Sequence, residues 1–427
     1  MKRLVLAGTA CALLSIKPAV GQTASIAPAP TARPTQSALD DQRYRNSISL
    51  HAQLLCSGVF VSNRDPQSVI SQDLQWNGYT FHDWGQTQYQ IDWERRAISL
   101  SAPANDERLA TPKYTAVYHD GLGCTLLPAD AEQTSYRPPV VKTTLPPADS
   151  VAWPMGDLDA FGDGFDHRRM RQALDFAIEG EPNEIPQETR AIVVLHEGRI
   201  VGERYRDGFS ADTAFMGWSM GKSLSAALLG IMAKEEGWSV DDRAPISDWS
   251  RAEDPRHRIT FKHLLNMASG LKFFNPSTDD PLYYTDGHDH ESVYFRGQNT
   301  EQLVLNQPLE YEPGKVFEYR NTNTLALMSA IKRTNLRRGE DHHEWPRTAL
   351  FDKIGARSVV LETDAFGNFV VTGFDYATAR DWARLGQFFL QDGHWQGEQL
   401  WPEGWSDVIK TPSSANPEYG GQVWVNL

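Results

Sequence analysis

Gly217-Trp218-Ser219-Met220-Gly221-Lys222-Ser223 sets a hydroxyl and an amine three residues apart, where an apolar-periodic segment running from Leu224 to Trp238 begins. On a helix, residues three apart share a face, so Lys222 stands one turn along from Ser219. A serine hydroxyl is a poor nucleophile until a base takes its proton, and this one carries a candidate base beside it. Three chemistries fit the stretch. Gly221-Lys222-Ser223 ends like a phosphate-binding loop, but Gly217 is one residue too close and Ala211 to Met216 is a weak strand to precede it. Gly217 to Gly221 also reads G-x-S-x-G, a nucleophile elbow, which wants a parallel sheet and a downstream acid followed by a histidine. That sheet is not evident, and His342, His343 and His394 lie beside expected helices or in loops. The third is a Ser-x-x-Lys nucleophile, a pairing that residue usage alone produces roughly once or twice in a chain this long.

The rest of the chain bounds the choice. Lys2 and Arg3, an apolar run from Leu4 to Leu14 and small residues around Ala19-Val20-Gly21 read as a secretory signal over residues 1–21. That run is too short to span a bilayer, and Gly8 stands where a lipoprotein signal ending at Cys11 would want leucine. A secreted or periplasmic protein without stable membrane insertion is therefore expected. The formal charge is −14 and becomes more acidic once Lys2, Arg3 and Lys17 are removed, which argues against nucleic acid or an anionic membrane as partner. Export leaves Cys56 and Cys124 where disulfides form, so a bridge between them is expected.

Residues 22–38, rich in Ala, Pro, Thr and Ser, read as a flexible linker. Residues 39–137 read as a small accessory module, in which His51 to Val61 looks like a helix running into a strand and Tyr89 to Leu100 like strand around a charged interruption. A Pro-rich connection, 138–154, leads into a main domain over 155–427. There Arg168 to Ile178 is helical in pattern, and Ala191 to Leu195, a turn, and Ile200 to Tyr205 form a hairpin. Gly237 ends the helix that Ser219 begins, and Thr260 caps a helix running from Phe261 to Ala268, with Gly270 as its stop. Thr322 to Arg333 and Asp375 to Leu390 are expected helices. Val359 to Glu362 and Phe369 to Thr372 are expected to pair as a hairpin. Helices alternating with antiparallel pairs indicate an α+β fold.

Support for the third chemistry comes from Glu312-Pro313-Gly314-Lys315-Val316-Phe317-Glu318-Tyr319-Arg320-Asn321, which sets a tyrosine and an amide on a Pro-Gly turn before a helix. With Ser219-Met220-Gly221-Lys222 and Leu264-Leu265-Asn266-Met267-Ala268-Ser269-Gly270-Leu271, these segments stand in the order and spacing of a known family. From about Arg190 onward the chain resembles the class C β-lactamase-like serine hydrolases, which include penicillin-binding proteins, esterases and 6-aminohexanoate-dimer hydrolases. The resemblance leans slightly toward the last, on the loop after Gly270.

The resemblance implies an antiparallel sheet flanked by helices, a helical region carrying the second motif, and an amide or ester substrate cleaved through a Ser219 acyl-enzyme. Lys222 and Tyr319 become the general acid/base pair, with Asn321 holding the lysine or substrate and Tyr283 and Tyr284 in a loop over the site. The competing expectation is a catalytically silent protein on the same fold that binds peptidoglycan or a small ligand. No cofactor or metal is expected; His288, Asp289, His290 and Glu291 read as a solvated loop. One departure stands out: the family's third motif, a Lys-Thr-Gly or Gly-rich variant on a late strand, is not found. The chain stops at Gly420-Gly421-Gln422-Val423-Trp424-Val425-Asn426-Leu427, which reads as the strand before it, and truncation is the preferred explanation.

Overall fold

Helix α1, Gln36–Phe60, is buried along the whole stretch from Asn46 to Val59, polar residues included. A helix without a solvated face has neighbours all round. One side packs on an antiparallel meander ordered β1-β2-β3-β4: β1 (Gln88–Asp92), β2 (Ala97–Ser101), β3 (Tyr114–His119) and β4 (Gly123–Leu126). The other side satisfies its polar groups on distant chain. Gln53 and Ser57 both donate to the Glu362 carboxyl, at 2.6 and 2.8 Å, and Ser62, just past the helix, donates to the Ala214 carbonyl at 2.7 Å. The computed structural model describes residues 35–75, 87–101, 112–163, 166–180, 188–274 and 289–426; the expected signal segment, Tyr283, Tyr284 and His288 lie outside these.

The expected switch from helix to strand near Val59 does not occur. Leu54, Leu55 and Val59 are buried against a shared core, and tertiary packing outweighs the strand preference of β-branched residues. A short α2 (Pro66–Val69) follows, capped by Asp65, whose carboxylate accepts the Ser68 N–H. The core containing α1 also takes in Leu224 to Ala233, Leu325 to Ile331 and Phe388, so the segment from Gln36 on forms one compact unit.

Helix α3 (His167–Glu179) starts where Asp166 accepts two backbone N–H groups and lays Leu174 and Ile178 on the hairpin β5 (Ala191–His196) and β6 (Arg199–Tyr205). Strand β7 (Ala214–Met216) then leads into the turn before α4 (Met220–Glu236), which ends at Gly237. Thr260 caps α5 (Phe261–Leu265) reciprocally with His263. That helix ends at Leu265, not at Gly270, because Met267 takes a left-handed φ of 54° and turns the chain. After α6 (Thr300–Leu305) comes α7 (Asn321–Arg338), packed against α4, α5 and α6, and then a single turn, α8 (Asp352–Ile354).

Two further expectations are corrected near the C-terminal half. The expected hairpin is present at its turn, where Thr363 bridges Phe369 and the Val370 N–H donates to the Glu362 carbonyl at 2.9 Å, but Val360–Leu361, β8, has its ladder with β9 (Asp375–Thr378), whose other edge takes β7, giving the order β7-β9-β8. The supposed helix from Asp375 is therefore a strand followed by α9 (Ala379–Leu390). Thr378 makes the break, its hydroxyl accepting the Asp381 N–H as an N-cap, so the helical period starts four residues late. The hairpin β10 (His394–Trp395) and β11 (Glu398–Gln399) and helix α10 (Trp405–Lys410) complete the described elements. The fold is α+β, with antiparallel sheets flanked by helices.

Candidate active site

Strand β7 delivers Gly217 to the end of the three-stranded sheet, where its N–H donates to the Asp375 carbonyl at 2.7 Å. The chain then reverses through Trp218, whose φ of 46° is left-handed, a conformation costing a non-glycine residue about 1 kcal/mol. Ser219 follows as the residue that caps α4, and the first N–H groups of a helix have no partner within it. One turn on, the Lys222 Nζ donates to the Ser219 Oγ at 3.0 Å. Lys222 is only 1% exposed. Burial pushes its amine down to about 7, against opposing pulls from the charges of Asp375 and Glu291.

Tyr319 arrives from a hundred residues downstream, and the Leu264–Leu271 stretch is what places it. The Ala268 carbonyl accepts the Gly314 N–H at 2.7 Å, and the Met267 carbonyl accepts the Glu318 N–H at 3.0 Å, so the Pro-Gly turn hangs from that segment. Ser269 in turn donates to Asn323 of α7 at 2.6 Å. The Tyr319 ring lies with its centroid 5.0 Å from the Lys222 Nζ. Burial raises its hydroxyl above the usual phenol range, and side-chain hydrogen bonds to Ser219 and Trp424 oppose the rise. Its outer side is covered by Tyr419 and Trp424, with ring centroids at 5.9 and 5.5 Å. Gln422 anchors that cover: its amide donates to the Leu264 and Leu265 carbonyls and accepts from Thr324, and its own carbonyl accepts from Ser223. A serine, a buried amine and a phenol thus converge at the head of α4.

A model of the Beta-lactamase family matches residues 187–419, more than half of the chain. The chain belongs to the beta-lactamase family. A relative, the 6-aminohexanoate-dimer hydrolase of Paenarthrobacter ureafaciens, is 26% identical over 228 residues, which are 52% of this chain and 57% of that protein. A Bacillus anthracis protein assigned as a 6-aminohexanoate-dimer hydrolase superposes with a TM-score of 0.47 at 20% identity, over 69% of this chain and 76% of that one. A class C beta-lactamase superposes with a TM-score of 0.42 at 15% identity, over 58% and 72%. The family match spans all three motifs read from the sequence. It leaves the elbow and the phosphate loop without support, since β7 enters the turn from an antiparallel pairing with β9.

Asn321 opens α7 next to Tyr319, but its amide nitrogen is engaged within the protein, donating to the His290 carbonyl at 2.6 Å and the Tyr294 hydroxyl at 3.0 Å. Its Oδ1 is buried with no hydrogen-bond partner among the described residues, so what it offers a lysine or a substrate is an acceptor. Tyr294 donates its hydroxyl hydrogen bond to the Thr372 carbonyl at 2.8 Å and sets its ring edge-on to Trp218, 5.8 Å away. The His290 ring lies 5.8 Å from that of Tyr319. Sequence reading missed Tyr294 and the site-facing place of His290, since nothing periodic marks either. It also missed Asp375, taken there as the start of a helix. Cys56 of α1 and Cys124 of β4 form a disulfide, with Cα atoms 6.1 Å apart. Among the described residues a cluster with metal-ligand spacing is Asp341, His342 and His343, well separated in sequence from the 288–291 loop, but both rings already point Nε2 at the Gly367 carbonyl. A cavity of about 310 Å³ shares Met216 and Trp218 with the turn, but Ser219, Lys222 and Tyr319 do not line it.

Gly221 is required by its surroundings. A Cβ there would meet the Val371 carbonyl oxygen at 2.0 Å and Asp375 Oδ1 at 2.5 Å. Backbone cannot yield as a flexible side chain can, so Gly221→Ala is expected to lower the unfolding free energy by roughly 3 kcal/mol. Gly386, exposed in α9 where an added Cβ would meet nothing within 4 Å, makes the control: Gly386→Ala should raise it by up to about 1 kcal/mol. Urea unfolding of the two variants checks both signs.

Proposed function

We propose that the protein is an exported serine hydrolase that cleaves an amide or ester bond through a Ser219 acyl-enzyme. The observation that carries the reading is the 3.0 Å hydrogen bond from the buried Lys222 amine to the Ser219 hydroxyl. An amine brought down to about 7 is neutral in a large fraction of molecules at physiological pH and can take the serine proton. Tyr319 is held as a phenol by its raised hydroxyl, so it suits the opposite task of giving a proton to the leaving group. Lys222 is then the first acceptor and Tyr319 the donor. The Ser219 N–H at the head of α4 is one donor to the oxyanion. The Asn321 Oδ1 accepts from the Lys222 ammonium or from a substrate N–H.

The name of the Paenarthrobacter relative favours a small amide as substrate. The Cys56–Cys124 bridge supports export to an oxidising compartment. A tagged fluorophosphonate tests the chemistry without a known substrate. The expected result is labelling at Ser219 that Ser219→Ala abolishes, with a rate that rises as pH increases through about 7, because the free amine is the active form. A folded protein that resists the probe at every pH is instead a silent binding protein on this fold.

A further inference from the structure

The cavity of about 310 Å³ beside the nucleophile turn has a mixed lining. Leu54 and Leu74 make part of it aliphatic, and Phe209 and Phe215 add two rings stacked with centroids 5.7 Å apart. Trp218 belongs to it as well, although its φ of 46° is one that glycine adopts more readily, so the turn keeps an aromatic residue there at the cost of strain. Arg64, Asp73 and Arg190 supply the charged groups. An apolar wall with a few placed polar groups is the usual make-up of a small-molecule pocket, and pockets begin at about this size.

The charges in the lining do not balance. Arg64 and Arg190 both pair with the one carboxylate of Asp73. Both guanidinium carbons also lie against the Phe209 ring, 4.8 and 5.1 Å from its centre. Among the described residues of the lining, two cations therefore share one anion. The Arg64 side chain is only 8% exposed, and partly buried charges are screened much less than surface ones. The other contacts near the pair are neutral: Arg64 Nη2 donates to the Gln72 side chain at 2.6 Å, and Arg190 Nη2 to the Gln72 carbonyl at 3.1 Å. The Nε and Nη1 of Arg190 have no hydrogen-bond partner among the described residues, so donors remain on a guanidinium that lines the cavity.

We infer that this cavity is a binding site for a small apolar carboxylate, whose anion meets Arg190 and Arg64 and whose hydrocarbon part packs on Phe209, Phe215 and the two leucines. A neutral apolar ligand would leave the surplus positive charge unopposed. A small inorganic anion would offset the charge but leave the leucines and rings without a partner. A carboxylate on a hydrocarbon body answers both, through charge-assisted hydrogen bonds at one end and buried apolar area at the other. Ser219, Lys222 and Tyr319 do not line the cavity, so the inference goes beyond the hydrolase reading and does not depend on it.

The test is calorimetric titration of the full chain with phenylacetate. Phenylacetamide, which keeps the ring without the charge, and acetate, which keeps the charge without the ring, are titrated beside it. Saturable binding of phenylacetate is expected, with dissociation constants at least about ten-fold higher for both controls. Arg190→Gln removes one guanidinium, and Gln72→Glu, at an exposed position, sets a second carboxylate beside Arg64. Each should weaken phenylacetate binding by about ten-fold or more. Should Arg190→Gln not fold, the exposed Gln72→Glu carries the comparison. Phenylacetamide bound as tightly as phenylacetate overturns the inference, and so does a folded wild type that shows no saturable binding. Phenylacetate binding that the folded variants leave unchanged places the acid elsewhere and overturns it too. These readouts need no turnover, so they stand apart from the labelling of Ser219.

Discussion

Replacing Lys222 with methionine is expected to abolish turnover while leaving the fold at least as stable as before. The rate loss should be about 10²- to 10⁴-fold, the usual contribution of a positioned base. Stability should hold because the amine is buried at 1% exposure, with its ordinary ionisation suppressed by desolvation. An apolar chain of similar length fills the same space and removes that burden, as replacement of buried ionic groups often does. Lys222→Arg makes the sharper comparison. Guanidinium stays charged at any accessible pH, so that variant should lose activity as fully as methionine and also lose stability. Probe labelling and urea unfolding on the same three proteins separate the two effects. Labelling of Lys222→Met at the wild-type rate would assign the base elsewhere.

The second large effect concerns stability alone. The Cys56–Cys124 bridge joins α1 to β4 across 68 positions. In the chain-entropy account, closing a loop of that length removes roughly 4 kcal/mol of freedom from the unfolded chain. The double replacement Cys56→Ala, Cys124→Ala is therefore expected to lower the unfolding free energy by about that amount, read as a drop in urea midpoint against the oxidised wild type. Reducing the wild type should reproduce most of the drop. The site should feel it only indirectly. Glu362 ties the bridge region to the sheet, accepting from Gln53, Ser57 and the Cys124 N–H at 2.7 Å. Burial pushes its carboxyl up to about 8. A loosened α1 would free that carboxyl before it reached β9.

What could be read without the structure follows a pattern. The Ser219–Lys222 approach is a property of one helical turn, so two letters at the right spacing were enough to place the side chains together. The α3 helix, the β5–β6 hairpin and the Thr260 cap were legible for the same reason, each being held by hydrogen bonds among residues close in the chain. The misreadings lie where contact is distant. Asp375 to Leu390 has helical periodicity almost throughout, and only pairing with Ala214–Met216, some 160 positions earlier, makes its first four residues a strand. Val359 to Glu362 and Phe369 to Thr372 meet only at the turn end, through Thr363, Phe369 and the Val370 N–H to Glu362, while β8 takes its ladder from β9.

By itself, then, the sequence determined that a serine hydroxyl and a lysine amine share a helix face, and that a tyrosine and an amide wait on a later turn. Those are local facts, set by the helical repeat and by Pro-Gly geometry. Only the tertiary structure brings that amine down to about 7. Its ionisation depends on how much water is excluded and on which charges lie nearby, and both are sums over α4, β9, the 289–294 segment and the Tyr419–Trp424 cover. A buried carboxyl against Gly217 and Gly221 could not be seen from Asp375 as a letter, because burial belongs to the assembled fold.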